Sequence, residues 1–196
     1  MKALSALGVF ALLSAAALPL SATPSFCDSV SGNLVANCGF ETGDFTDWTQ
    51  GGPTGNDGVN GSNVNTGSFA AFLGAVGSDS TLSQTLLSLA GTVDISFYLS
   101  GDGGTPNDFT VSWDGTDIGP DLVNSGGFGY TQYDLGTFAS VGNDTLMFQA
   151  RDDPGFWGLD DVVVTQTSAT PEPGTISMVL AGLGMVLTGM RARRRR

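Results

Sequence analysis

The acidic side chains are the residues of this sequence best suited to chemistry. Glu41 is the only glutamate between Thr23 and Thr170, where the other acids are aspartates. Glutamate can hold a hard cation with both carboxylate oxygens, so Glu41 is a candidate calcium ligand. Asp160 and Asp161 begin the last apolar segment, and because adjacent strand residues point to opposite faces, we expect only one of them to be a ligand. The alternative is that these acids are turn and cap residues without a metal.

Paired carboxylates also hydrolyse glycosidic bonds, when an acid of raised pKa faces a second carboxylate across a cleft. The chain has no histidine, and it has no lysine between Thr23 and Thr170, so common catalytic bases and activated nucleophiles are missing. Aspartates beside glycine usually form turns. The sequence therefore predicts a protein that is not an enzyme, with a secreted glycoside hydrolase-like enzyme as the alternative. The pool for that alternative is Asp102, Asp108, Asp114, Asp117, Asp152 and Asp153.

Aromatic side chains form a third group, because a sugar ring can lay its apolar face on an exposed ring. Trp48 and Trp113 lie in strand-like patterns and are predicted to be core residues. Phe156 and Trp157 are adjacent, so in an extended chain they point to opposite sides and one of them is expected to be exposed. These two residues are the candidate ligand-binding aromatics.

Short alternating segments must position these side chains. Apolar residues recur at every second position in several runs, and clusters rich in Gly, Asn, Asp and Ser separate the runs. This pattern predicts an antiparallel β-sandwich, a single domain over residues 23–167. The glycine-rich segment Gly51–Gly67 is predicted to be a long loop and a candidate for ligand contact. The alternating runs are Val93–Leu99, Phe109–Trp113, Leu146–Phe148 and Val162–Val164.

Four of these segments together resemble the galactose-binding-like jelly roll of carbohydrate-binding modules: Asn33–Thr49, Thr66–Gly74, Ser80–Leu86 and Gly155–Thr165. The resemblance implies an extracellular polysaccharide as ligand. It also implies that the first and last strands meet, which would bring Glu41 to Asp160. A structural calcium would then be held by Glu41, by Asp160 and by the carbonyl of Gly39.

The charge is distributed very unevenly. Residues Thr23–Thr170 contain eighteen acids and one arginine, a formal charge of −17. Such a region cannot neutralise phosphates, which excludes nucleic acid as a partner, whereas divalent cations are concentrated near it.

The N-terminus has the layout of a secretory signal peptide over residues 1–22. Lys2 precedes an apolar run from Ala3 to Leu18, and small residues follow. An uncleaved membrane helix is the alternative. In an exported chain, Cys27 and Cys38, the only two cysteines, are expected to form a disulfide.

Residues 168–196 form a distinct tail. Pro173–Met190 contains no charged residue and is long enough for one transmembrane helix, and five arginines follow it. By the positive-inside rule these arginines stay cytoplasmic, which places the domain outside. Pro171, Glu172 and Pro173 keep the preceding segment extended and open to a processing enzyme. A simple membrane anchor predicts the same topology.

The order of proline-glutamate-proline triplet, apolar span and arginine cluster resembles the PEP-CTERM sorting signal of exported bacterial proteins, also catalogued as an ice-binding protein C-terminal domain. The resemblance implies an exosortase as processing partner. It also implies an inner-membrane-anchored precursor and a final place at the cell surface or outside the cell. The threonines are scattered and give no support to ice binding. The sequence thus predicts a polysaccharide-binding surface protein, with a matrix or adhesion protein without a small ligand as another alternative.

Overall fold

A computed structural model describes residues 23–88 and 90–167. The predicted signal peptide, the transmembrane span and the Pro171–Pro173 processing site lie outside these residues. Within the described part, no helix has the length and apolar character needed to cross a membrane.

The described chain is an all-β sandwich of two antiparallel sheets, as predicted. A 3-10 helix, Cys27–Ser29, precedes the strands. The strands are β1 (Thr49–Gly51), β2 (Gly58–Asn60), β3 (Ala70–Leu73), β4 (Ser80–Thr85), β5 (Gly91–Gly101), β6 (Asn107–Trp113), β7 (Thr116–Asp117), β8 (Leu122–Val123), β9 (Phe128–Ser140), β10 (Thr145–Asp152) and β11 (Trp157–Thr167).

The chain crosses several times from one sheet to the other. The first sheet has the order β1-β4-β10-β6-β7, with β8 also paired to β6, and the second has the order β2-β3-β11-β5-β9. The central strands β10 and β11 are consecutive in the chain. The turn between them, residues 153–156, therefore leads from one sheet to the other and lies beside the end of β5.

The core lies between the sheets and consists of the residues that alternation predicted. Val93, Ile95, Phe97 and Leu99 of β5 are fully buried. Phe97 packs edge-on against Phe148 of β10, with ring centroids 5.2 Å apart. Each such side chain contributes roughly 2 kcal/mol by leaving water. Trp48 and Trp113 are also buried, which confirms their assignment to the core.

The segment before β1 differs from the prediction. The opening strand that was expected within the Asn33–Thr49 segment is reduced to an isolated bridge between Asn33 and Thr165. Asn37, Phe40 and Asp47 have positive φ angles, which break the extended conformation. The N-terminal segment still contacts the last strand, as predicted. The contacts are that bridge and the hydrogen bond that the Val162 amide donates to the Cys38 carbonyl.

The predicted disulfide is present between Cys27 and Cys38. It joins the 3-10 helix to the segment that leads into Glu41. Both cysteines are buried, so the bond lies within the packed end of the sandwich.

Candidate functional site

Glu41 is held against the loop that precedes β3. One oxygen, Oε1, accepts hydrogen bonds from the amides of Ser68 at 2.9 Å and Phe69 at 3.1 Å. Gly67 makes this approach feasible, because a Cβ atom added there would lie 2.1 Å from Glu41 Oε1. The φ angle of Gly67 is +77°, a region that residues with side chains rarely adopt.

Asp160 and Asp161 both reach the same loop. Asp160 Oδ2 accepts the amides of Asn65 at 2.9 Å and Thr66 at 3.2 Å. Thr66 Oγ1 donates to Asp161 Oδ2 at 2.7 Å. The prediction that these neighbours point to opposite faces is wrong, because the pairing register of β11 shifts between Asp160 and Val163 and Asp161 has a φ of +51°.

Burial of the Asp160 and Asp161 carboxylates changes the protonation equilibria of nearby groups. Asp160 is fully buried and Asp161 is 1 % exposed. Burial, and then the charge of Asp161, raises the pKa of Asp160 to about 7. Burial, together with the charge of Asp160, also raises the pKa of Tyr130. Arg151 is the sole basic residue in the described ranges. It forms an ion pair with Asp153, in which a guanidinium nitrogen lies 3.8 Å from the Asp153 Oδ2 atom.

Two of the three predicted calcium ligands, Glu41 and Asp160, contact one short segment. Glu41 and Asp160 bind amides within residues 65–69, but no three acidic or thiol ligand atoms that include theirs fall within 4.8 Å of one another in the described part. Gly39 is buried, and its carbonyl accepts no hydrogen bond from the described residues. Among the described residues, the one group of three that does cluster contains Cys27 and Cys38, whose sulfurs are bonded to each other.

A cleft of about 460 Å³ lies at one end of the second sheet. All five strands of that sheet contribute to it. The lining residues are Asn60, Ser62, Asn63, Ala70, Ala71, Phe72, Ser100, Gly101, Asp102, Phe128, Gly129, Phe156, Trp157 and Gly158. Apolar rings and side-chain amides and hydroxyls thus share one concave surface, which is the usual composition of a small-molecule site.

Gly158 keeps part of this cleft open. A Cβ atom added there would lie 2.4 Å from Ser100 Oγ and 2.8 Å from Tyr130 Oη. The two polar groups are connected through Asn63, whose Nδ2 donates to Ser100 Oγ and whose carbonyl accepts from Tyr130 Oη, both at 3.0 Å. Asn63 belongs to the glycine-rich segment Gly51–Gly67. The prediction of one long loop over this segment is wrong in part, because β2 (Gly58–Asn60) lies inside it, and the sequence did not single out Asn63.

The two candidate aromatics have different environments. Phe156 is 47 % exposed, and its ring meets Phe72 edge-on at a centroid distance of 5.5 Å. Trp157 borders the cleft but is fully buried, packs 5.6 Å from Phe109 and donates its ring N–H to the carbonyl of Arg151. Phe156 is therefore the exposed member of the pair, and a fully buried Trp157 ring cannot serve as a stacking platform. Phe72 was not singled out from the sequence, where it is one of several apolar residues in the Thr66–Gly74 segment.

The C-terminal residues carry a recognisable signal. Residues 169–196 match the PEP-CTERM protein-sorting motif. The chain ends in a PEP-CTERM sorting motif. This motif indicates an exported protein that is processed at the cell envelope, and it implies processing by an exosortase. No curated protein matches the chain.

The fold of the described domain is that of carbohydrate-binding modules. The chain is similar to TmCBM61, solved in complex with β-1,4-galactotriose, with a TM-score of 0.55 and 22% identity, covering 70% of this chain and 100% of that one. It is also similar to the tandem CBM22-1-CBM22-2 domain of Paenibacillus barcinonensis Xyn10C, with a TM-score of 0.54 and 20% identity, covering 73% of this chain and 49% of that one. These likenesses support the predicted jelly-roll β-sandwich fold for the described domain.

Proposed function

We propose that this protein is a non-catalytic component of the cell surface or extracellular matrix whose β-sandwich binds a polysaccharide. The cleft beside Phe156 is the binding site. One observation carries the proposal: a half-exposed phenylalanine ring stands at a concave surface that also presents the polar side chains of Asn60, Asn63 and Ser100. A sugar ring needs both an apolar platform and hydrogen-bonding groups, and this surface offers them together.

The charge of the domain favours a neutral polysaccharide. Arg151 is the sole basic residue among the described ones, and it is paired with Asp153. Of the residues that the structure describes, Asp102 is the one acid that lines the cleft. An anionic polymer would therefore meet repulsion with no arginine or lysine to offset it.

The hydrolase alternative has weaker support in the described part of the chain. Hydrolysis requires two carboxylates on opposite sides of the scissile bond, about 5–10 Å apart. Among the described residues, the cleft lining contains Asp102 and no second acidic residue. A matrix or adhesion protein without a small ligand is the other alternative, and a test for sugar binding separates it from the main proposal.

Calcium remains part of the proposal as a structural cation at Glu41 and Asp160. The donors present suit a hard cation, because they are carboxylate oxygens and the buried Gly39 carbonyl without a hydrogen-bond partner among the described residues. Bound calcium would offset the charges of Asp160 and Asp161. Backbone carbonyls would have to supply part of its shell.

The tail is proposed to deliver the domain. The apolar span would anchor a precursor in the inner membrane, and an exosortase would act near Pro171, Glu172 and Pro173. The processed domain would then reach the surface or the extracellular space.

Affinity gel electrophoresis tests the binding proposal. The full chain in mild detergent should be retarded in a native gel that contains its polysaccharide, and Phe156→Ala should abolish the shift. Phe26→Ala is a matched control, because Phe26 is 43 % exposed and lies outside the cleft lining. Equal retardation of the two variants would contradict the assigned site.

A further inference from the structure

Asp152 is a buried carboxylate without a partner. The residue is 1 % exposed, and neither of its carboxylate oxygens has a hydrogen bond among the described residues. Asp144 is equally buried, yet it accepts bonds from Ser88, Ser140, Val141 and Gly142. Although burial opposes it, these bonds hold the pKa of Asp144 below its usual value. The fold can therefore supply hydrogen bonds to a buried aspartate. Because Asp152 has none, its carboxylate needs another partner, such as a bound ion.

The carboxylate of Asp102 converges with that of Asp152. A Cβ atom added at Gly155 would lie 2.4 Å from Asp102 Oδ1 and 2.6 Å from Asp152 Oδ1. A Cβ atom added at Gly104 would lie 2.0 Å from the Pro154 carbonyl oxygen and 2.8 Å from the same Asp152 oxygen. Three oxygen donors therefore face one small region. Oxygens that share a calcium ion lie within about 5 Å of one another, because each is about 2.4 Å from the ion.

No side chain in the described ranges neutralises this pair. Arg151 is directed to Asp153, which is itself an acid next in sequence to Asp152. Burial, then the neighbouring charges of Asp102 and Asp153, raises the pKa of Asp152 to about 7. The two carboxylates repel each other, and a bound cation would relieve that repulsion.

We infer that Asp102 and Asp152 bind a hard divalent cation, Ca²⁺, with the carbonyl of Pro154 as a further ligand. Asp102 is exposed, which gives the ion a path from solvent, whereas Asp152 supplies a desolvated charge. This site shares no residue with the calcium predicted at Glu41 and Asp160. It also does not depend on sugar binding.

The ion would fix the edge of the cleft. Asp102 Oδ2 accepts the amide of Phe156 at 2.9 Å, and Asp102 Oδ1 accepts the amide of Gly104 at 2.9 Å. The cation therefore connects the turn that carries Phe156 to the end of β5. This consequence for the ring, unlike the site itself, rests on the proposed function.

Calcium binding to the full chain tests the site. Chelator-treated protein in mild detergent is titrated with Ca²⁺ by calorimetry and with Tb³⁺ by luminescence, for wild type, Asp152→Asn, Asp102→Asn and Asp153→Asn. Asp153→Asn is the matched control, since it removes one charge next in sequence to Asp152 without touching the paired oxygens. Loss of a direct ligand should weaken one binding event roughly tenfold or more in the first two variants.

The outcomes distinguish a calcium site at Asp102 and Asp152 from calcium binding elsewhere on the chain. Loss of one calcium equivalent in Asp152→Asn, retained in Asp153→Asn and in Glu41→Gln, supports the site whatever the sugar gels show. Equal calcium binding by Asp152→Asn and Asp153→Asn overturns it. So does a wild type whose only calcium event disappears in Glu41→Gln, which would leave the Asp102–Asp152 pair sharing a proton instead.

Discussion

Asn63 Nδ2 donates a hydrogen bond of 3.0 Å to Ser100 Oγ, so a loop residue is tied directly to β5. The bond passes beside Gly158, where a side chain would occupy the same space. The polar part of the cleft is therefore built by a loop and a strand that lie 37 residues apart in sequence.

Substitution of Gly158 by alanine should close the polar part of the cleft. The added methyl group meets Ser100 Oγ at 2.4 Å, so Ser100 or Asn63 must move. We expect retardation by polysaccharide to be lost, with a stability cost of roughly 1–3 kcal/mol from overpacking. Gly126→Ala is the control, since a Cβ atom there meets nothing within 4 Å. If Gly158→Ala were retarded as strongly as the control, the cleft would not be the binding site.

Gly67→Ala tests the contact between the Glu41 carboxylate and the loop before β3. Alanine at this position combines an unfavourable φ of +77° with a Cβ 2.1 Å from Glu41 Oε1. Gly32→Ala isolates the backbone effect, because Gly32 has a φ of +78° and free space around it. We expect about 1 kcal/mol of destabilisation for Gly32→Ala and at least about 2 kcal/mol for Gly67→Ala, measured by urea unfolding. Similar losses in both would show that the Glu41 contact contributes little.

The raised pKa of the Asp108 carboxyl should make the stability of the domain depend on pH. Burial, and then the nearby charge of Asp79, raises the pKa of Asp108 to about 6, while Arg151 acts in the opposite sense. The unfolded chain loses this proton near its ordinary pKa of 3.8, so the group's contribution to stability falls as pH rises from about 4 to 6.

Asp108→Asn should therefore stabilise the domain above pH 6, by an amount on the order of 1 kcal/mol after solvent screening, and have little effect below pH 4. Thermal unfolding across this range is the measurement. Asp134→Asn, an exposed position on the other sheet, serves for comparison. A stability gain that is the same at pH 3.5 and pH 8 would rule out titration of Asp108 as the cause.

Removal of the disulfide should weaken the fold without abolishing it. The bond closes a loop across a sequence separation of 11. The loop-entropy estimate for such a closure is about 2–3 kcal/mol. The double variant Cys27→Ala/Cys38→Ala should therefore unfold at lower urea concentration than the wild type, and a reducing agent should lower the wild type to the same midpoint. An unchanged midpoint would mean that β11 contacts alone hold the N-terminal segment.

The sequence was sufficient for the core because alternation depends only on neighbouring residues. Val93, Ile95, Phe97 and Leu99 follow the period of two, and all four are fully buried. The disulfide was predictable for a similar reason, since two cysteines in an exported chain have one partner each.

The site could be predicted only in part, because it depends on departures from regular structure. The register shift in β11 lets Asp160 and Asp161 contact the same loop, and no pattern of neighbouring residues predicts this shift. Asp152 and Asp102 are separated by 50 positions, so their convergence requires the packing of two strands in different sheets. Phe156 and Trp157 could be identified as a pair, but the side that faces solvent is decided by the tertiary fold.

A glycan array probed with the labelled full chain tests the central claim most directly. The account predicts binding to a defined set of neutral glycans by the wild type and by Phe26→Ala, and no binding to that set by Phe156→Ala. Absence of binding to every glycan, or the same binding pattern in Phe156→Ala as in the wild type, would contradict it.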